Sequence, residues 1–383
     1  MIHQTSTDER TRRDLAVRTA AADAGMGALI IASRGDEFMR GRVQYLSDIF
    51  QWAGWGFLVV PLEGSKTFVS DPLGGFEAAT TGEGSWVSDI RLSQEPGREL
   101  ADILREHGVT SGVVGIAGMD DIIAAAHLQQ LSEAAPNLVF VNASDEFDDV
   151  RAIKSGEELR NLAETSEILR DVFSALEEVI QPGVVIRDVL SEAHRLCRQH
   201  GCVEGIALLG RPPAAGFSPD STERLTREDV FAIDLEWGGP TGYWLELRRC
   251  FSFGKPRDEV RRFHELRTEV FEACMQSAQP GASSEDILAV RDEIYARNGF
   301  SAGNSIRYTA HGIGIDSLEP PWAPGKHRTL MEGMVLSLHP DVFLTDEQVG
   351  KFGPISVGDS IQIGANGTTR MTYESEEWVV LDS

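Results

Sequence analysis

Residues 181–201 read QPGVVIRDVLSEAHRLCRQHG, and residues 279–299 read QPGASSEDILAVRDEIYARNG. The two stretches are equal in length, and Asp188 and Leu190 of the first fall opposite Asp286 and Leu288 of the second. Each opens on Gln-Pro-Gly, which stops a preceding helix because proline lacks the amide hydrogen and glycine accepts a left-handed backbone. Each closes on glycine, Gly201 or Gly299, as helices commonly do. A long helical pattern precedes each copy. Strand-like runs follow: Val230–Trp237 and Gly242–Phe253 after the first, then Ser305–Thr309, Met334–His339 and Ser360–Ile363 after the second. This is an internal duplication, and it predicts an α+β domain of two similar helix–helix–strand halves around a mixed or antiparallel sheet.

Working outward, the first long helix of that domain has a sharp start. Ser155-Gly-Glu-Glu158 is a capping box, and Leu159, Leu162, Ile168, Leu169, Phe173, Leu176 and Ile180 form a helical stripe behind it. Upstream the pattern alternates between helix and strand. Asp8–Gly25, Gly97–Gly108 and Asp120–Ala135 read as helices; Gly27–Ser33, Gly56–Pro61, Lys66–Ser70, Gly112–Ile116 and Leu138–Asn142 read as strands. That alternation predicts an α/β domain over residues 1–150, with the α+β domain occupying 151–383.

Acidic residues outnumber basic ones 60 to 35, for a formal charge of −25. A nucleic-acid partner and an anionic membrane surface are both excluded by that balance, whereas a cationic small molecule is not. Cys197, Cys202, Cys250 and Cys274 contain no CxxC pair and are too few for a disulfide framework, so free thiols in a reducing cytoplasm are expected. No apolar run is long enough to span a bilayer.

Three segments carry candidate chemistry. Phe231-Ala-Ile-Asp234-Leu-Glu236-Trp places two carboxylates on one face of a strand, and a hairpin through Gly238–Gly242 brings Glu246 across from Asp234, with Arg248 and Arg249 beyond it. Ala310-His311-Gly312-Ile313-Gly314, followed by Glu319-Pro320-Pro321, sets an imidazole among small residues. Val335-Leu-Ser-Leu-His339-Pro340 ends an apolar strand in a histidine, where a polar ring faces a cleft.

Taken together these segments resemble the pita-bread superfamily of creatinase, aminopeptidase P and prolidase, with relatives among the dimethylsulfoniopropionate lyases and ectoine hydrolases. Arg12–Ser47 is similar to the creatinase-type N-terminal domain, Val150–Ser155 to the segment that opens the catalytic domain, and His311-Gly-Ile-Gly with Glu319-Pro-Pro to the family's histidine motif. Metal-dependent members bind through Asp, Asp, His, Glu, Glu in order. The resemblance sets Asp234, Glu246 and His311 at the first three positions, but His339 and Gly358 stand at the two glutamate positions. Two further family histidines are replaced, one within Ala215-Gly-Phe217-Ser-Pro and one at Leu318.

From these departures we expect no dinuclear metal centre. The expected activity is a creatinase-like hydrolysis of an amide- or amidine-type C–N bond in a small polar metabolite, with no cofactor required. Asp234, Glu246, His311 and His339 are the expected catalytic residues. Glu236, Arg248, Arg249, Glu319, Trp52 and Trp55 are the expected substrate-binding residues, for a cationic or zwitterionic substrate. The alternative is a hydrolase or lyase holding one divalent ion (Zn, Mn or Fe) on Asp234, Glu246, His311 and His339, either Xaa-Pro peptidase or dimethylsulfoniopropionate-lyase-like. A further alternative is a catalytically inactive binding module. The resemblance also implies a homodimer.

Overall fold

A computed structural model of the chain describes residues 4–72, 85–211, 216–301, 309–319, 328–375 and 378–381. The chain divides into two units, Met1–Arg151 and Ala152–Ser383. None of the described helices is long and apolar enough to cross a membrane.

The first unit contains α1 (Thr7–Asp23), β1 (Ala28–Arg34), α2 (Gly41–Tyr45), β2 (Trp55–Pro61), β3 (Thr67–Ser70), β4 (Asp89–Leu92), α3 (Pro96–Glu106), β5 (Gly112–Ala117), α4 (Ala125–Ala134) and β6 (Leu138–Asn142), and α5 (Ser144–Ala152) ends it. Its sheet runs β4-β3-β2-β1-β5-β6. The strand β1 is antiparallel to β2 and parallel to β5. Leu100, Ile103 and Leu104 of α3 are buried in a core with Ile30, Phe57, Val59 and Val114 of the sheet, as the apolar spacing of that helix requires. The helix predicted from Asp120 starts only at Ala125. Gly118 adopts φ +91° and its carbonyl accepts from both Ile122 and Ile123, so the chain turns before it coils.

The second unit contains α6 (Gly156–Val179), α7 (Ile186–Gln199), β7 (Glu204–Gly210), β8 (Val230–Gly238), β9 (Trp244–Phe253), α8 (Asp258–Ser277), α9 (Ser284–Arg297), β10 (Ala310–Gly312), β11 (Val335–Leu338), α10 (Asp346–Phe352), β12 (Gly358–Gly364), β13 (Gly367–Arg370) and β14 (Val379–Leu381). The strands form one sheet of order β10-β11-β12-β9-β8-β7, with β13 added to β12 and β14 to β9. Ser155 caps α6 reciprocally with Glu158, as read from sequence. The duplication is present in the backbone. The helices α7 and α9 are each 14 residues long. Gly183 and Gly281 sit at φ +93° and +92°. Their amides donate to Leu225 O at 2.7 Å and Leu330 O at 2.8 Å, and the return bonds, Leu225 N to Val184 O and Leu330 N to Ala282 O, match. Of the predicted strand Ser305–Thr309, all but Thr309 lies outside the described residues.

One register differs from expectation. Glu246 pairs with Glu236, and Asp234 pairs with Arg248. The hairpin closes between Gly238 and Trp244, with Gly239 N donating to Tyr243 O, so the pairing is set two residues away from the one read from sequence. Like charges directly opposite are unfavourable unless a cation intervenes. Here the next residue on that face of β9 is Arg248.

Candidate active site

The alternation of β-strands explains what meets on the sheet. The registers Glu236↔Glu246, Asp234↔Arg248, Gly358↔Arg248, Ser337↔Ser360 and His311↔Ser337 put these side chains on one face. Asp234, Glu246, His311 and His339 are all buried there, whereas Glu236 and Arg248 are half-buried at its margin.

Glu246 is the hub. Its Oε1 lies 2.8 Å from Arg248 Nη2. Its Oε2 accepts from Ser337 Oγ at 2.6 Å and lies 3.2 Å from His311 Nε2 and 3.9 Å from His339 Nε2. Burial alone would raise this carboxyl, but the Arg248 guanidinium and the hydrogen bond with His311 outweigh it and hold Glu246 well below the carboxylate range. His311 Nδ1 lies 3.0 Å from the Gly312 carbonyl. Burial would lower this imidazole, but the Glu246 carboxylate outweighs it and raises His311, so a proton is held between Nε2 and Glu246 Oε2. His339 is driven down to about 4, by burial first and then by the Arg248 charge, so it is a neutral imidazole at pH 7. A neutral imidazole in that position has the lone pair that metal ligation needs.

Arg248 gathers the carboxylates. Its Nε donates to Asp234 Oδ2 at 2.9 Å, and its Nη1 donates to Asp341 Oδ2 at 2.9 Å and Ser356 Oγ at 3.1 Å. Arg267 Nη2 pairs with Asp341 Oδ1. Asp234 Oδ1 is buried and has no partner among the described residues. Burial, opposed by Arg248, raises the Asp234 carboxyl well above its ordinary value. Glu236 is pushed up to about 7 by burial and then by the Glu246 carboxylate opposite it, and Ser317 Oγ donates to its Oε1.

The other expected binding residues lie elsewhere. Arg249 projects from the opposite face of β9, with its guanidinium 4.2 Å from the Tyr373 ring, and lines a separate cavity of about 540 Å³ with Glu177 and Trp378. Glu319 is committed to its own loop: Oε1 accepts from Ile315 N and Asp316 N, and Oε2 lies 2.6 Å from Lys154 Nζ. Its neighbours Pro320 and Pro321 lie outside the described residues, as does Ala215. Leu318 is half exposed. Trp55 belongs to the first unit, where its Nε1 donates to Ile122 O and its ring meets His127 edge-on, and Trp52 there is 53% exposed. Sequence reasoning missed Ser337, Asp341, Ser356 and Ser317. Ser337 was within reach, because it stands two residues before His339 on the same strand face.

Family metallocentres raise the question of fit. Glu246, His311 and His339 each offer a ligand atom, all within 4.8 Å of one another. Two imidazole nitrogens and a carboxylate oxygen are a transition-metal donor set. His311 Nε2 and Glu246 Oε2, 3.2 Å apart, share a proton whose place a cation can take. One divalent ion therefore fits these residues. A second, bridged ion does not, because Gly358 offers no ligand and Arg248 takes one oxygen each from Asp234 and Glu246.

Comparison with known proteins bears on the reaction. The chain is 24% identical over 325 residues to the Xaa-Pro dipeptidase of Pyrococcus horikoshii, covering 81% of this chain and 90% of that one. It is 23% identical over 371 residues to the ectoine hydrolase of Halomonas elongata, covering 86% and 88%. The crystal structure of dipeptidase PepE from Mycobacterium ulcerans superposes with a TM-score of 0.79 at 22% identity, over all of both chains. The Xaa-Pro dipeptidases among these relatives and the metallopeptidase family model, with the metal-competent trio, overturn the expectation of a cofactor-free creatinase-like hydrolase of a non-peptide C–N bond. Residues 13–153 match the creatinase/prolidase N-terminal domain. Residues 160–366, more than half of the chain, match metallopeptidase family M24, and the protein is a member of that pita-bread family.

Proposed function

We propose that this protein is a metal-dependent hydrolase of dipeptide-sized amides, of the Xaa-Pro dipeptidase kind. The observation that carries the reading is the buried trio Glu246, His311 and His339 within an M24 domain. These three residues would hold one divalent ion, which supplies Lewis acidity toward an amide carbonyl. Glu236 stands at the half-buried margin of the same face, with Oε1 engaged by Ser317 and Oε2 left over. From that position it takes a proton from the attacking water as the new C–O bond forms, and returns it to the amide nitrogen as the C–N bond breaks. Ser337 fixes Glu246, and Gly312 O fixes the His311 ring.

The test is direct. Purified protein supplied with Mn²⁺, Co²⁺ or Zn²⁺ is offered Gly-Pro, Ala-Pro, Leu-Pro and matching dipeptides without proline, and free amino acids are quantified by chromatography. We expect metal-dependent release of proline that EDTA abolishes and added metal restores. No release from any dipeptide with any of the three metals overturns the reading.

A further inference from the structure

We infer that Arg248 serves as a built-in second cation, so that the site is a one-ion centre whose other positive charge is a guanidinium. The inference rests on the metal-dependent reading above. It starts from the pairing of Arg248 on β9 with Gly358 on β12. A Cβ built at Gly358 would lie 3.0 Å from Arg248 Cδ, 3.2 Å from His339 Cβ and 3.4 Å from Arg248 Cγ. Any side chain at 358 competes with the arginine stem and with His339 for the same space. The glycine is what lets Arg248 enter from the sheet and lie flat among acidic groups.

Once there, the guanidinium does what a bridging ion would do. It draws Asp234 Oδ2, Glu246 Oε1 and Asp341 Oδ2 onto three of its nitrogens at 2.8–2.9 Å. The fork geometry of arginine matches carboxylates that a point charge would have to gather by coordination. A dinuclear centre places its ions ~3.5–4 Å apart and needs both oxygens of each bridging carboxylate. Here Glu246 has one oxygen on Arg248 and the other facing His311 and His339. The division of that carboxylate between a guanidinium and an imidazole pair is the signature of a site with one ion position. The Phe217 ring, 5.4 Å from the guanidinium carbon, closes the arginine's outer side with a face that suits a cation.

Metal stoichiometry tests this without reference to turnover. Full-length protein is equilibrated with excess Mn²⁺, desalted, and analysed for manganese per chain, with isothermal titration as a second measure. The wild type should hold one ion. Gly358→Glu alone should stay at one and melt at lower temperature, because Arg248 has no room to move. Arg248→Ala with Gly358→Glu removes the internal cation and adds a carboxylate beside Asp234 and Glu246, and should hold two. Arg248→Ala alone should melt at lower temperature without Mn²⁺ and recover more on its addition than the wild type does. Two ions in the wild type, or one in the folded double variant, overturns the inference and leaves the metal hydrolase reading standing. No ion in the wild type at millimolar Mn²⁺ overturns the metal hydrolase reading itself.

Discussion

In the first unit, Arg42 lies between Asp148 and Asp121, and Arg151 adds a second guanidinium to Asp148. In the second unit, Arg248 lies among Asp234, Glu246 and Asp341, and Arg267 adds a second guanidinium to Asp341. The two knots are built alike and end differently. Both oxygens of Asp148 accept hydrogen bonds, Oδ1 from Arg42 Nε and Arg151 Nε, Oδ2 from Arg42 Nη2. Two arginines meet two carboxylates there. Burial is outweighed by Arg151 and Arg42, and Asp148 is held down to about 2. Around Arg248 the acids outnumber the arginines. The shortfall shows as an orphaned Asp234 Oδ1, while burial, with the Glu246 carboxylate adding to it, pushes the Asp234 and Glu236 carboxyls upward. A knot with balanced charge is a cross-link, whereas one short of positive charge, beside two imidazoles, is a place for a cation.

The sharpest way to break this comparison is to change one acid in each knot and read both chemistry and stability. Glu236→Gln should lower kcat for dipeptide hydrolysis by ~10²–10⁴-fold while manganese content stays unchanged, since it alters the proton carrier and no ligand. Near-native kcat would remove Glu236 from the mechanism. Asp148→Ala should instead cost about 3–5 kcal/mol of unfolding free energy, measured with urea, because it removes the buried carboxylate that two guanidinium groups share. A loss below about 1 kcal/mol would mean that the first knot is not a cross-link.

Acid acts on one buried group in each unit over a different pH window. His264, buried one helical turn before Arg267, is lowered to about 4 by burial and then by that arginine, while Glu265 acts in the other direction. The unfolded chain takes up this proton near pH 6.5, and the folded chain resists until about 4. The stability His264 contributes is therefore complete above pH 6.5 and lost as pH falls to 4, about 3 kcal/mol over the window. Asp148 works lower: its contribution is present above pH 3.8 and lost as pH falls towards 2. Urea unfolding from pH 7 to 4 should show His264→Phe shifting the slope of stability against pH by this contribution, so that the variant loses less stability, or gains more, than the wild type as pH falls. An unchanged slope in the variant would assign the loss to other groups. The smallest effect belongs to Ser337→Ala, which frees Glu246 Oε2 from its 2.6 Å bond and should weaken Mn²⁺ binding by ~10–100-fold in calorimetry. Unchanged affinity would show that Arg248 and the histidines orient Glu246 without the serine.

Glu319 and Arg249 illustrate what a residue type in a motif leaves open. Both look like binding groups in one dimension. Glu319 is consumed by the amides of Ile315 and Asp316 and by Lys154, a residue far away in the chain. Arg248 and Arg249 are adjacent, and strand alternation requires them to face opposite ways. Which of them meets the histidines depends on the pairing of β9 with β12, and on that of β11 with β12 and β10.

The amino-acid sequence by itself determined the local and repeated features: the two Gln-Pro-Gly stops, the Ser155 capping box, the apolar stripes of α3 and α6, and the presence of His311 and His339 at strand-like positions. These follow from interactions between residues a few positions apart, and each leaves a pattern with a period. Only the tertiary structure decided that Glu246 stands opposite Glu236, that Arg248 rather than Arg249 enters the acidic cluster, and that a missing side chain at Gly358 makes room for it. Those outcomes rest on contacts across the sheet, ten positions apart for Glu236 and Glu246 and 110 for Arg248 and Gly358, where a shift of one residue exchanges the two faces of a strand.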